Sequence, residues 1–137
     1  MKICVQGMWH LGSVTAGCLA SIGHDVTGLD SDFESIQKLR EAIPPIVEPG
    51  LDLLIQEGIH TGNLRFTSDK QAATAGAEVL WVTYDTPVDE NDQADVEFVF
   101  QEVSEVLPFL EHDTIVLVSS QLPAGSIQRF ESMATEK

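Results

Sequence analysis

Gly7 and Gly12 enclose Met8-Trp9-His10-Leu11 directly after the apolar run Ile3-Cys4-Val5. This is the spacing of the first and last glycines in a G-x-G-x-x-G turn. There the first glycine makes a tight bend, the second lets a pyrophosphate approach the backbone, and the third lets a helix pack on the preceding strand. Gly7 and Gly12 fit the outer two roles, but Trp9 occupies the middle position. The residue missing from the pattern is therefore the one that faces phosphate. Two readings of Trp9 stay open: a ring that packs over the turn or fills the phosphate niche, and a tolerated variant in a turn that still binds.

A carboxylate stands where such a turn needs one. Asp30 lies eighteen positions beyond Gly12, at the end of the apolar run Val26-Thr27-Gly28-Leu29. A carboxylate there accepts both hydroxyls of an adenine ribose and repels a 2′-phosphate, which favours NAD over NADP. The rival reading is a solvated strand-end acid or a helix cap. The strand, glycine turn, helix and strand that surround it favour the ribose.

The elements that position these residues follow from hydrophobic period. Residues 2–6 read as a buried strand. Leu11, Val14, Thr15, Cys18, Leu19 and Ile22 recur at helical spacing until Gly23, and this stripe is expected to face the core. Asp32 is placed to cap a helix with an apolar face of Phe33, Ile36 and Leu39. The prolines of Ile43-Pro44-Pro45-Ile46-Val47-Glu48-Pro49-Gly50 remove donors and restrict their neighbours, so this segment is a loop, followed by a short helix near Leu51–Gln56. Strands are expected at 64–67, 78–84 and 114–119. Helices are expected from Asp69 through Ala75, along Val96, Val99, Val103 and Leu107 up to Pro108, and after Pro123-Ala124-Gly125. The apolar runs at 79–82 and 115–118 read as strands buried on both faces. Strands alternating with helices predict a single α/β domain: a Rossmann-like, doubly wound, mostly parallel sheet with helices on both faces.

Composition narrows the partners. With 7 basic and 22 acidic side chains the formal charge is −15, which excludes nucleic acid and disfavours an anionic membrane surface. Hydrophobic residues make up 43%, enough for a core, and no apolar stretch is long enough to span a bilayer. The expectation is a soluble, cytoplasmic protein. Cys4 and Cys18 sit within apolar patterns and read as reduced core thiols. His10, His24, His60 and His112 are dispersed without metal spacing, and Asp89, Glu90, Asp92 and Asp95 lack the glycine and closing glutamate of a calcium loop, so no metal site is expected.

Five blocks, in order, resemble the amino-terminal domain of the UDP-glucose/GDP-mannose dehydrogenase family. They are Met1-Lys2-Ile3 with the turn Gly7 to Gly12; Ile46-Val47-Glu48-Pro49-Gly50-Leu51; Gly62-Asn63-Leu64-Arg65-Phe66-Thr67-Ser68-Asp69; Thr86-Pro87-Val88-Asp89 with Asp95; and Ser119-Ser120-Gln121-Leu122-Pro123-Ala124-Gly125. The resemblance covers nearly the whole chain. It implies an NAD-dependent oxidation of the C6 alcohol of a nucleotide-linked sugar to a carboxylate, in two steps through a cysteine thioester. It further implies that Gly7, Trp9, His10, Leu11 and Gly12 hold the pyrophosphate and Asp30 the adenine ribose. Thr86 would lie beside the cofactor, and Ser120 and Gln121 close to the nicotinamide.

Departures accompany the matches. His10 stands where the family usually has tyrosine, Ser35 where many members have lysine, and Gln121 where a threonine helps position a catalytic water. An amide is larger and aimed differently, so a water-positioning role for Gln121 is in doubt. The chain ends before the family's connecting helix and the carboxyl-terminal domain with the nucleophilic cysteine. It is expected to be the cofactor domain of a longer, homodimeric enzyme, monomeric or weakly associated and inactive by itself, with the nucleotide sugar bound through the missing domain. The alternative is a non-catalytic, cofactor-sensing or structural Rossmann-like module, suggested by Trp9 and Gln121. A hydroxyacid- or hydroxyacyl-type dehydrogenase shares the fingerprint but does not account for Thr86-Pro87 together with Pro123-Ala124-Gly125.

Overall fold

The structure, a computed structural model, describes residues 1–86 and 88–136; Pro87 of the Thr86-Pro87 block and Lys137 lie outside the described residues. The order of elements is β1 (Lys2–Gln6), α1 (His10–Ser21), β2 (Asp25–Leu29), α2 (Phe33–Arg40), α3 (Leu51–Thr61), β3 (Leu64–Thr67), α4 (Lys70–Thr74), β4 (Val79–Val82), α5 (Val96–Ser104), a single 3-10 turn (Leu107–Phe109), β5 (Ile115–Val118) and α6 (Ser126–Thr135). The strands form one parallel sheet in the order β3-β2-β1-β4-β5. The chain therefore winds outward from β1 in one direction as far as β3, then crosses back to β4 on the other side of β1. The carboxyl ends of β1 and β4 meet at this reversal, which is where a doubly wound sheet opens a crevice for ligands.

Successive side chains of a strand point to opposite faces, so the inner strands β1, β2 and β4 feed two cores. Ile3, Val5, Val26, Leu64 and Phe66 pack with Ala16, Ala20, Ile36, Leu39, Leu51 and Ile55 on one face. Cys4, Leu80 and Val82 pack with Ala73, Val99, Phe100, Val103 and Phe130 on the other.

Helix α1 turns a different face to the sheet from the stripe its larger residues mark. Its buried residues are Gly12, Ser13, Ala16, Gly17 and Ala20, whereas Leu11, Cys18 and Ile22 are exposed. The reason is distance. A Cβ on Gly12 would lie 1.7 Å from the Gly7 carbonyl oxygen, and one on Gly17 would lie 3.3 Å from Leu51 Cδ1. The helix sits so close to the glycine turn and to α3 that only small residues fit the contact. Cys18 is consequently a surface thiol rather than a core one, while Cys4 is fully buried.

Other expectations shift at their edges. Asp32 caps α2 as read, its Oδ1 accepting from the Glu34 and Ser35 N–H groups, and Ile36 and Leu39 are buried, but Phe33 is exposed. The Ser35 hydroxyl, which donates to Asp32 Oδ2 at 2.7 Å, and the two N–H donors hold the Asp32 carboxyl below its ordinary range. Helix α3 runs past Gln56 to Thr61, while β4 stops at Val82 rather than Tyr84 and α5 at Ser104. The strand at 115–118 is not covered on both faces. It is the sheet edge, with Ile115 62% exposed and Leu117 also exposed on the face opposite Val116 and Val118.

Candidate functional site

The glycine turn is held from three sides. Gly7 adopts φ +99°, in the left-handed region that a side chain strains, and its N–H donates to the Leu29 carbonyl at 2.8 Å. From β4, the buried Thr83 hydroxyl reaches the Gln6 and Gly7 carbonyls at 3.0 and 2.9 Å. Beneath the turn lies the Tyr84 ring, 2.9 Å from where a Gly7 Cβ would be. From β2, Asp30 accepts the Met8 N–H on Oδ2 at 2.7 Å and the Asp32 N–H on Oδ1 at 2.8 Å. Each carboxylate oxygen keeps a lone pair for a further donor.

Tyr84 is fixed in its turn from below. Its hydroxyl lies 3.2 Å from Glu102 Oε2, and the Gln6 amide nitrogen donates to the Glu102 carbonyl at 2.9 Å. Burial, with Glu102 and Asp30 nearby, drives the Tyr84 phenol far above its ordinary range, so it acts as a neutral donor.

Met8, not Trp9, is the buried side chain of the turn. Its sulfur occupies the space left by Gly28, where a Cβ would meet it at 2.7 Å. Trp9 is the N-cap of α1 with φ −90°, a conformation open to any residue, and its side chain is 53% exposed. The N–H groups of the first turn of α1 have no intrahelical partner, and no acidic residue stands in that turn. His10 Nε2 lies 2.7 Å from Glu48 Oε1, so the proline-rich loop touches the start of α1.

The predicted residues of the far end also converge. The Thr86 hydroxyl donates to the Gln121 carbonyl at 3.0 Å, joining the segments that follow β4 and β5. It is the backbone of Gln121, not its amide, that makes this link. Ser120 Oγ is buried without a hydrogen-bond partner among the described residues. No group of three metal-ligating side chains gathers among the described residues. The acidic stretch carries an antiparallel bridge between Val88 and Ala94, and Asp95 caps α5 by accepting the Phe98 N–H.

Met8, Thr83 and Tyr84 shape the turn although the spacing assigns them no role. Gly28 inside a strand was the available signal for Met8, since such a glycine marks a close approach. Thr83 and Tyr84 carried none, because they looked like the end of a buried strand.

A glycine turn at the reversal of an all-parallel sheet, an open helix N-terminus and a carboxylate at the tip of the neighbouring strand fit a pyrophosphate and a ribose. They define a Rossmann-type dinucleotide-binding domain. The chain belongs to the UDP-glucose/GDP-mannose dehydrogenase family, whose NAD binding domain model matches residues 1–137. Its cofactor is accordingly NAD. It is 34% identical to UDP-glucose 6-dehydrogenase of Rhizobium meliloti over 99% of this chain and 31% of that protein. It is 37% identical to GDP-mannose 6-dehydrogenase of Pseudomonas putida over 90% of this chain and 29% of that protein. The GDP-mannose dehydrogenase of Pseudomonas aeruginosa, solved as a ternary complex, superposes with a TM-score of 0.88 at 30% identity, over 100% of this chain and 33% of that one. The chain thus spans about a third of the length of these relatives. No helix among the described residues is long and apolar enough to cross a membrane.

Proposed function

We propose that this domain serves a nucleotide-sugar 6-dehydrogenase, which oxidises the C6 alcohol of a UDP- or GDP-linked sugar to the carboxylate. In this reading the pyrophosphate lies on Gly7, Trp9, His10, Leu11 and Gly12. Asp30 receives the adenine ribose, and Thr86, Ser120 and Gln121 flank the nicotinamide. Bound NAD supplies the hydride acceptor. The chain's own residues bind and orient: α1 offers unpaired N–H groups to phosphate, and Asp30 offers lone pairs to hydroxyls. The orphaned Ser120 Oγ and the Thr86–Gln121 link make the other end polar.

The observation that carries this reading is Asp30, because one carboxylate both fixes the turn and stands at the ribose position. Trp9 fits it as a tolerated variant, since a half-exposed ring has not taken the burial that filling the niche requires. The domain is proposed to bind cofactor without turning over sugar by itself. Cys4 is buried, with its thiol pushed up to about 12 by desolvation, and Cys18 lies on the solvent side of α1; neither is placed as a nucleophile at the crevice. Catalysis in a longer, homodimeric and cytoplasmic protein, with the sugar held by another domain, belongs to the same proposal. The test is a titration with NADH, following tryptophan quenching and energy transfer to the nicotinamide. Saturable binding supports the reading, and no binding by either the parent chain or Trp9→Gly overturns it.

A further inference from the structure

The His10–Glu48 pair is wet, with side chains 51% and 41% exposed, and a surface pair of this kind contributes little to stability. Its position gives it another use. His10 is the first residue of α1, and it is the side chain there that can become a cation. Among the described residues, the Lys and Arg side chains that form ion pairs do so elsewhere: Lys38 with Glu34, Arg65 with Asp25, Lys70 with Glu105 and Arg129 with Glu97. Arg40 bonds the Phe66 carbonyl, and Lys2 begins β1 at the opposite end of the sheet. The acids around the turn are Glu48, Asp30 on its two backbone donors, Asp32 on the α2 cap, and Asp85, one residue beyond Tyr84. A pyrophosphate arriving in a chain of formal charge −15 thus meets helix N–H groups and one titratable imidazole.

We propose that Glu48 is a positioning residue for the cofactor: it holds the His10 imidazole at the start of α1, where the pyrophosphate draws a proton onto the ring, so that NAD(H) binds with proton uptake. The proposal rests on the pyrophosphate lying on this turn. With Nε2–H donating to Glu48, Nδ1 is the atom that takes the proton from solvent. The imidazolium then serves Glu48 through one N–H and the phosphate through the other. No covalent bond changes. A phosphate anion beside an imidazole favours its charged form, and histidine is the side chain whose charge changes near neutrality. By linkage, a ligand that takes up a proton binds more weakly as pH rises.

The experiment is calorimetric titration of the chain with NADH in two buffers of different ionisation enthalpy, repeated between about pH 6 and about pH 8. The parent is expected to take up a fraction of a proton and to lose affinity several-fold across this range. His10→Tyr should bind with no uptake and a flat profile, and Glu48→Gln, which leaves the imidazole unheld, should reduce the uptake and flatten the profile. A merely structural Glu48 would instead lower affinity equally at every pH. Binding without buffer-dependent enthalpy, or uptake unchanged in His10→Tyr, overturns the proposal while leaving the pyrophosphate on the turn. No binding in any variant overturns both.

Discussion

The Met8 N–H donates to Asp30 Oδ2 at 2.7 Å, tying the glycine turn after β1 to the tip of β2. The Asp32 N–H, at 2.8 Å from Oδ1, adds the start of α2 to the same carboxylate. The carboxylate proposed to receive the ribose therefore also shapes the turn proposed to hold the pyrophosphate, and one residue ties the two together.

Asp30→Ala should weaken NADH binding by roughly tenfold or more, since hydrogen bonds to a charged group are worth about 1.5–3 kcal/mol and two backbone donors lose their partner. Asp30→Asn, which keeps one acceptor, should fall between. Fluorescence titration of the three chains measures this, and an unchanged dissociation constant in Asp30→Ala would place the ribose elsewhere.

Gly12→Ala should destabilise the fold by about 1–3 kcal/mol or more, because overpacking here presses on backbone rather than on a flexible side chain. The added Cβ would sit 1.7 Å from the Gly7 carbonyl oxygen and 2.7 Å from Thr83 Oγ1. Urea melts read the loss. A variant as stable as the parent would show that α1 can retreat from the turn.

Trp9→Gly should change stability by no more than about 0.5 kcal/mol, since the ring is half exposed and glycine is acceptable at an N-cap. NADH affinity should hold or rise. Binding gained only on removal of the ring would identify Trp9 as a plug.

The two thiols should separate cleanly. Cys18 should react with a disulfide reagent in the native protein, and Cys4 only on unfolding. The Cys4 thiol, raised from 9.0 to about 12 by burial, stays protonated in the fold while the unfolded thiol ionises. Its contribution to stability is therefore complete below about pH 9 and is lost as pH climbs from there towards 12, because the unfolded state then holds fewer protons. Cys4→Ala should flatten that alkaline decline in denaturant melts; an unchanged slope would mean that the thiol is solvated.

The order of elements, the parallel sheet and the Gly7–Gly12 turn with Asp30 beyond it were legible from period and spacing, because they rest on local rules: apolar alternation, glycine at a bend, aspartate at a strand end. What the chain alone could not decide were matters of distance between segments far apart in sequence. Which face α1 buries depends on how near the turn and α3 approach it, and small residues won over the larger stripe. Whether 115–118 is covered depends on its place at the sheet edge. Thr83 and Tyr84 became part of the site because β4 returns beside β1, and Glu48 because the proline loop crosses the start of α1. Contacts of this kind are set by packing of the whole sheet, and no local pattern encodes them.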